Sequence, residues 1–285
     1  HPSNAVFLSH GNISTDFLQD EIQTKVLQNF KPKADDIRVL AETTFKKPLY
    51  GSKGYKPFAD DTENHHVIVS WLIPETKDPV DHLALELLEN ILLENSASPL
   101  LKALENSELG IAPASILGLG TSNKQMFFIA GLEGVAAGKD KEVEALILNV
   151  LRDLVENSIS NEHIHSSLHQ IELSQRTVGG RMPYGLNLLL GVMPHALDDG
   201  DVLKFLDLEN SLELLKKRLE KTGYLETLLA DLFLKNNHRV TFTLFPDIEL
   251  DEKKEKAEAK FLSEKLKSFT ENDKKSIRSL TKKLE

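Results

Sequence analysis

The sequence predicts an α+β fold, and three observations predict it. Short apolar runs with strand character cluster in the first half of the chain. From Val143 onward the apolar residues recur at helical spacing instead, as far as Leu234. One further strand-like run, residues 239–245, precedes a tail rich in Lys and Glu. Strands grouped early and helices grouped later argue for segregated elements, not for alternating strand–helix–strand units. No short internal repeat breaks this order.

The elements follow in chain order. Residues 5–9 (Ala-Val-Phe-Leu-Ser) read as a short buried strand closed by Gly11-Asn12. Ser14 stands where an N-cap belongs. Phe17, Leu18, Ile22, Val26, Leu27 and Phe30 follow at helical spacing, and Pro32 stops the helix. Residues 31–63 carry Pro32, Pro48, Pro57, Gly51 and Gly54 and read as an irregular segment that wraps the surface. A loop of that length is unusual unless it is packed down or functional. Residues 66–73 are almost continuously apolar, as in a strand buried on both faces.

Asp78-Pro79 opens a helix with Pro at the tolerated first position, and Leu83, Leu87, Leu88, Ile91 and Leu92 share one of its faces. A second short helix starts at Pro99 and has ended by Gly110. Residues 112–119 and 126–132 are predicted strands joined through a turn at Ser122-Asn123. Helices are predicted over residues 143–155, 162–173, 185–195, 202–206 and 208–234. In the tail, Ala257, Phe261, Leu262, Leu266 and Phe269 recur at helical spacing, which predicts an exposed helix or hairpin arm. The domain division expected is 1–248 for the α+β body and 249–285 for the start of a charged helical hairpin or linker.

Composition narrows the function classes. The chain has 285 residues, 40% hydrophobic and 27% charged, and a net charge of -10. That is enough chain for a sizeable core, and an acidic balance argues against nucleic acid as a partner. There is no cysteine, which excludes disulfides, zinc–thiolate sites and cysteine nucleophiles. It also fits a cytoplasmic or organelle-matrix location. No apolar run reaches the about 18 residues of a membrane helix, so no membrane partner is expected. The first residue is His1 inside a strand-like run and the last lie in a helical pattern without a C-cap, so both ends read as cut from a longer protein.

Three stretches resemble the M16 zinc metallopeptidases, in the presequence protease and falcilysin branch. The first is His1-Pro2-Ser3-Asn4-Ala5 running into residues 6–9 and Gly11. The second spans residues 78–110, with Leu87-Leu88-Glu89-Asn90-Ile91-Leu92-Leu93, Ser96-Ala97-Ser98-Pro99-Leu100 and Leu104-Glu105-Asn106-Ser107-Glu108-Leu109-Gly110. The third is His238-Arg239-Val240 through Pro246-Asp247 with the charged helix after it. Their order and spacing carry the resemblance.

It implies an M16 (LuxS/MPP-like) domain whose mostly antiparallel sheet is packed on one face by helices. It places the chain as the second of four related domains plus the start of the helical hairpin between two halves. Such an enzyme is a zinc-dependent, peptide-degrading hydrolase that closes around its substrate. Its zinc motif, His-x-x-Glu-His with a distal Glu, belongs to the first domain, and an Arg and a Tyr of the active site belong to the last two. The resemblance thus implies zinc in the parent protein and none bound by this chain. The partners it implies are peptide substrates and the other domains of the same polypeptide. The alternative is a stand-alone inactive homologue that acts as a scaffold or partner subunit.

The residues agree that catalysis lies elsewhere. Zinc hydrolysis needs three fixed ligands, an open position for water and a base. Neither His-x-x-Glu-His nor His-Glu-x-x-His occurs. The nearest approach, His169-Gln170-Ile171-Glu172-Leu173, puts Leu where the second ligand is needed. No catalytic residue is assigned. Glu162, His165, His169 and Glu172 are spaced 3, 4 and 3 apart and so share a helix face. They read as a solvated polar face, with a surface metal site as the alternative. His65 and His66 are adjacent in a strand, point to opposite faces and read as structural.

Gly118-Leu119-Gly120 lacks the third Gly of a dinucleotide loop and reads as turn glycines. Gly179-Gly180-Arg181 reads as a helix–helix connection, and Asp198-Asp199-Gly200-Asp201 as a helix-capping turn in preference to a calcium loop. Insulin-degrading relatives in the family anchor the substrate's N-terminal end on the strand after the matching helix. The resemblance carries that role to Ser115, Ile116, Leu117 and Gly118. Strand addition needs only backbone groups, so an ordinary sheet strand remains the other reading.

Overall fold

The computed structural model describes residues 1–33, 39–58, 63–177, 182–198 and 200–284. One sheet organises them. Its strands are β1 (Leu49–Tyr55), β2 (His65–Leu72), β3 (Ala112–Pro113), β4 (Gly118–Gly120), β5 (Phe127–Val135) and β6 (Arg239–Pro246). The order across the sheet is β1-β6-β2-β5-β3, and β4 also pairs with β5. Among the described residues only the β1–β6 pair is parallel.

The pleat sorts the side chains into two faces. Val67, Val69 and Trp71 of β2 stand opposite Leu132, Ala130 and Phe128 of β5, and all six are buried. Against this face pack α2 (Pro79–Leu93), α3 (Pro99–Glu105), α4 (Asp140–Asn157), α5 (Asn161–Arg176), α8 (Leu208–Leu219) and α9 (Tyr224–Leu229). Helix α2 is central and buries Val80, Leu83, Leu87, Leu88, Ile91 and Leu92. Asp78 caps it by accepting the Val80 N–H at 3.0 Å, with Pro79 at the first position.

The other face carries Ile68 and Leu72, Phe127 and Ile129, and Val240, Phe242 and Leu244, all half-buried. No helix of the core layer covers it. The expectation that residues 66–73 are buried on both faces is therefore corrected. The run alternates in the structure, and its near-continuous apolar character reflects a second face that is apolar without being sealed.

Four other expectations change. Residues 5–9 form no strand; Val6 and Phe7 are about half exposed, at 47% and 49%. Strand propensity needs a partner and a surface to lie on, and no described strand pairs with this run. The segment 31–63 is not irregular throughout, because β1 lies inside it. Its glycines hid the strand, yet Gly51 packs so close to Phe242 that a Cβ would stand 2.9 Å from the ring. The strand over 112–119 breaks into β3 and β4. The helix over 208–234 breaks at Gly223, which adopts φ +76° before α9, and ends in a π-helical turn, Ala230–Leu234.

Two peripheral parts complete the chain. Helix α1 (Thr15–Lys25), capped by Ser14, buries none of its side chains. Helices α10 (Leu250–Ser268) and α11 (Glu271–Leu284) likewise bury none of their side chains. Helices α6 (Tyr184–Leu197) and α7 (Val202–Leu206) project from the core layer and pack on each other.

Arg218 of α8 bonds Asp81 (2.6 Å) and Asp78 (2.7 Å), tying α8 to the α2 cap. Burial pushes the Asp78 carboxyl up, but the Val80 N–H and the Arg218 guanidinium outweigh it and hold it below the usual range. That lowered value contributes stability above the unfolded carboxylate pKa and is lost as pH falls through the folded one. Arg218→Ala should cost about 1 kcal/mol, the value for a partly exposed paired network. Urea unfolding at pH 7 reads this, and the cost should shrink at pH 3.

Candidate functional site

The expected anchoring residues lie where the outermost strand bends. Ala114 donates its N–H to Gly131 O at 2.9 Å, and Gly118 stands opposite Ile129. Between these points β5 advances two residues and its partner four, so Ser115, Ile116 and Leu117 bulge out of the ladder. Ser115 and Ile116 are exposed, Ile116 at 57%, while Leu117 packs against the core. Gly118–Gly120 is strand, not turn, which corrects that reading. Among the described residues β3 and β4 pair with β5 alone, so their outer edge is unpaired.

Glu89 of α2 sits beneath this edge. Its Oε1 accepts the Leu119 N–H at 2.7 Å. Gly118, at φ +105°, is required here, because a Cβ would fall 2.2 Å from Glu89 Oε1. Burial raises the Glu89 carboxyl, opposed by the Leu119 N–H. The residue was missed in the sequence, although a carboxylate between Leu88 and Asn90, inside the Leu-rich stretch of the helix, was a visible signal.

The polar row of α5 has a different fate. Glu162, His165 and His169 are exposed. Glu172 is tied to Lys216 at 2.5 Å, which holds its carboxyl below the usual range. Among the described residues no group of three or more His, Cys, Asp or Glu is placed to hold a metal ion. His66 lies 3.7 Å from Glu133 and packs its ring on Tyr55. Asp201 caps α7 through the Leu203 N–H at 3.2 Å, and Asp198 accepts from Lys124 at 2.5 Å. Asp199 and the connection at 179–181 lie outside the described residues.

Two polar groupings went unread because they join distant segments. Glu144 of α4 meets Tyr50 of β1 and Arg239 of β6. His82, His195 and Phe205 stack where α6 and α7 meet α2.

With this geometry in place, a family model described as the Peptidase M16 inactive domain matches residues 1–171. The chain belongs to the M16 peptidase inactive-domain family. Presequence protease 1 of Arabidopsis thaliana, chloroplastic/mitochondrial, is 31% identical over 295 residues, which covers 100% of this chain and 27% of the relative. Protein HypA of Clostridium perfringens is 30% identical over 287 residues, covering 100% and 29%. The mitochondrial presequence protease of Mus musculus is 28% identical over 281 residues, covering 97% and 27%. This M16 domain therefore spans under a third of the length of these relatives.

Solved structures agree on the fold. The ferredoxin protease FusC, solved with Arabidopsis ferredoxin, superposes with a TM-score of 0.59 at 11% identity, covering 83% of this chain and 24% of that one. The M16 inactive domain of Pseudomonas fluorescens superposes at 0.53 with 15% identity, covering 83% and 52%. The resemblance read from residues 1–11, 78–110 and 238–247 thus led to the right family and branch. No helix among the described residues is long and apolar enough to cross a membrane.

Proposed function

We propose that this M16 domain is a non-catalytic part of a zinc-dependent, peptide-degrading metallopeptidase. Its uncovered sheet face forms a wall of the peptide chamber, and the β3–β4 edge anchors substrate as an added strand. The unpaired edge carries this reading: backbone donors and acceptors on an open edge strand accept an extended peptide whatever its sequence. Glu89 and Gly118 support it by holding β4 on β5 from beneath, which leaves the outer side clear. The apolar Ile68, Phe127, Ile129, Val240 and Phe242 supply a surface for the apolar side chains of an unfolded peptide.

Zinc in the parent protein supplies an activated water. The donors of this chain do not fit it: Leu173 replaces a ligand in the nearest motif, and Glu172 is committed to Lys216. The domain's partners are then peptide substrates and the other domains of its polypeptide. An organelle matrix fits the mitochondrial and chloroplast relatives, with cytoplasm as the alternative.

Elemental analysis of the purified, dialysed chain should find no stoichiometric zinc, and a fluorogenic peptide should stay uncut. Chelator-sensitive cleavage with one zinc per chain would overturn the reading. A fluorescein-labelled, unstructured 20-residue peptide should bind, and Ser115→Pro should weaken it at least tenfold with the circular dichroism unchanged. Equal binding by Ser115→Pro would remove the edge from the proposal.

A further inference from the structure

Helices α6 and α7 lie outside the core layer, and at the start of α6 the Tyr184 ring meets His10 edge-on at 6.2 Å. Their outer surface is apolar, with Leu186, Leu190, Met193, Leu197, Leu203 and Leu206 all exposed, and Val192 is the buried apolar side chain of α6. At the attachment, the His195 ring lies flat on Phe205, with centroids 3.4 Å apart and planes 9° apart. His82 of α2 meets both rings edge-on, at 4.8 Å from His195 and 5.1 Å from Phe205. His82 Nε2 donates to the Thr76 carbonyl at 3.1 Å. Beside the stack, Asp198 takes Lys124, and its carbonyl takes Lys77 at 3.1 Å.

We propose that α6 and α7 form a flap latched by the His82–His195–Phe205 stack, and that protonation of the two histidines opens it. The latch requires neutral imidazoles, because two cations in edge contact repel and a charged ring loses hydration when buried. The surrounding charges do not rescue the charged form. On α2, Asp78 and Asp81 are taken up by Arg218 of α8. In the loop before α2, Glu75 faces both Lys77 and Lys124. On the flap, Asp198 is held by Lys124, and Asp201 faces Lys204. Burial, then the neighbouring His82, pushes His195 down to about 4, and burial lowers His82.

The sign follows. A base whose folded pKa is depressed stabilises the closed form above the unfolded value near 6.5, and that stability fades as pH falls toward about 4. The flap end borders a groove of about 560 Å³ lined by Val39, Leu40, Leu72 and Leu197, which leads toward the uncovered sheet face. Acid thus widens access to that face. The geometry of the latch does not depend on the chamber reading.

The absence of cysteine allows a direct test on the full chain. Val192→Cys reports opening through its reaction with 4,4′-dithiodipyridine, divided at each pH by the rate of the exposed Leu203→Cys. With an open-form value near 6.5 and a closed-form value of about 4, protonation of His195 predicts a normalised rate rising about twentyfold from pH 7 to pH 5. The core probe Leu151→Cys should stay unreactive at pH 5, which separates flap opening from unfolding. His195→Phe keeps a stacked ring that cannot protonate and should flatten the profile. If that variant fails to fold, His82→Gln serves and should reduce the slope. A flat profile without these substitutions, an unchanged profile in both, or a reactive Leu151→Cys would each overturn the proposal.

Discussion

Trp71→Ala should lower the unfolding free energy by about 4 kcal/mol, the range for an aromatic removed from a packed core. Trp71 is fully buried near the C-terminal end of β2. Its ring meets Phe233 edge-on at 5.6 Å and Phe128 at 6.2 Å, and those two rings meet each other at 5.0 Å. It also has a polar task. The π-helical turn at 230–234 places the Phe233 carbonyl in the last turn of a helix, where carbonyls lack intrahelical partners. The Trp71 indole N–H donates to it at 2.8 Å.

Trp71→Ala opens a cavity and orphans that carbonyl, while Trp71→Phe mainly orphans the carbonyl. The second substitution should therefore cost about 2 kcal/mol. Marginal total stability makes the first loss large enough to populate unfolded chain at 37 °C. Trp71 is the only Trp, so urea unfolding must be followed by far-ultraviolet circular dichroism and not by fluorescence. A cost under about 1 kcal/mol for Trp71→Ala would contradict its place at the junction of β2 and the π turn.

The same residues show what could be read from sequence. The helix of Pro79–Leu93 was legible because three independent signals agree: an Asp cap, Pro at the first position and a one-faced Leu stripe. Burial of β2 on one face was misread because a sheet whose second face is also apolar gives the same run as a strand buried on both. Strand β1 was missed for the opposite reason. Leu49-Tyr50-Gly51-Ser52-Lys53-Gly54-Tyr55 has the composition of a loop, and it is a strand because β6, almost two hundred positions later, offers it a parallel edge.

The candidate site divides in the same way. The edge position of residues 112–120 was legible in outline through the family resemblance. The bulge at Ser115–Leu117 and the Glu89 support depend on register, which periodicity does not carry. The latch of His82, His195 and Phe205 joins α2 to helices more than a hundred residues later and leaves no local pattern at all.

The buried charges behind β1 yield the second large effect. Glu144 is 5% exposed, and its carboxylate accepts the Tyr50 hydroxyl at 2.8 Å with Arg239 Nη2 3.0 Å away. Burial of a charge is tolerated only with a partner. Arg239→Met should therefore cost about 3–5 kcal/mol by stranding the carboxylate, and Glu144→Leu a similar amount by stranding the guanidinium. The double replacement should recover most of that loss, because an apolar pair of like volume needs no desolvation. Incomplete satisfaction sharpens the expectation: among the described residues Arg239 Nε and Thr241 Oγ1 lack hydrogen-bond partners. The grouping thus contributes position more than stability. It joins edge strand β1 to α4 and β6, and the double variant should keep its stability while hydrogen exchange rises across residues 49–55. Strictly additive losses in the two single variants and the double would show that Glu144 and Arg239 act independently, and would leave β1 held by its ladder to β6 alone.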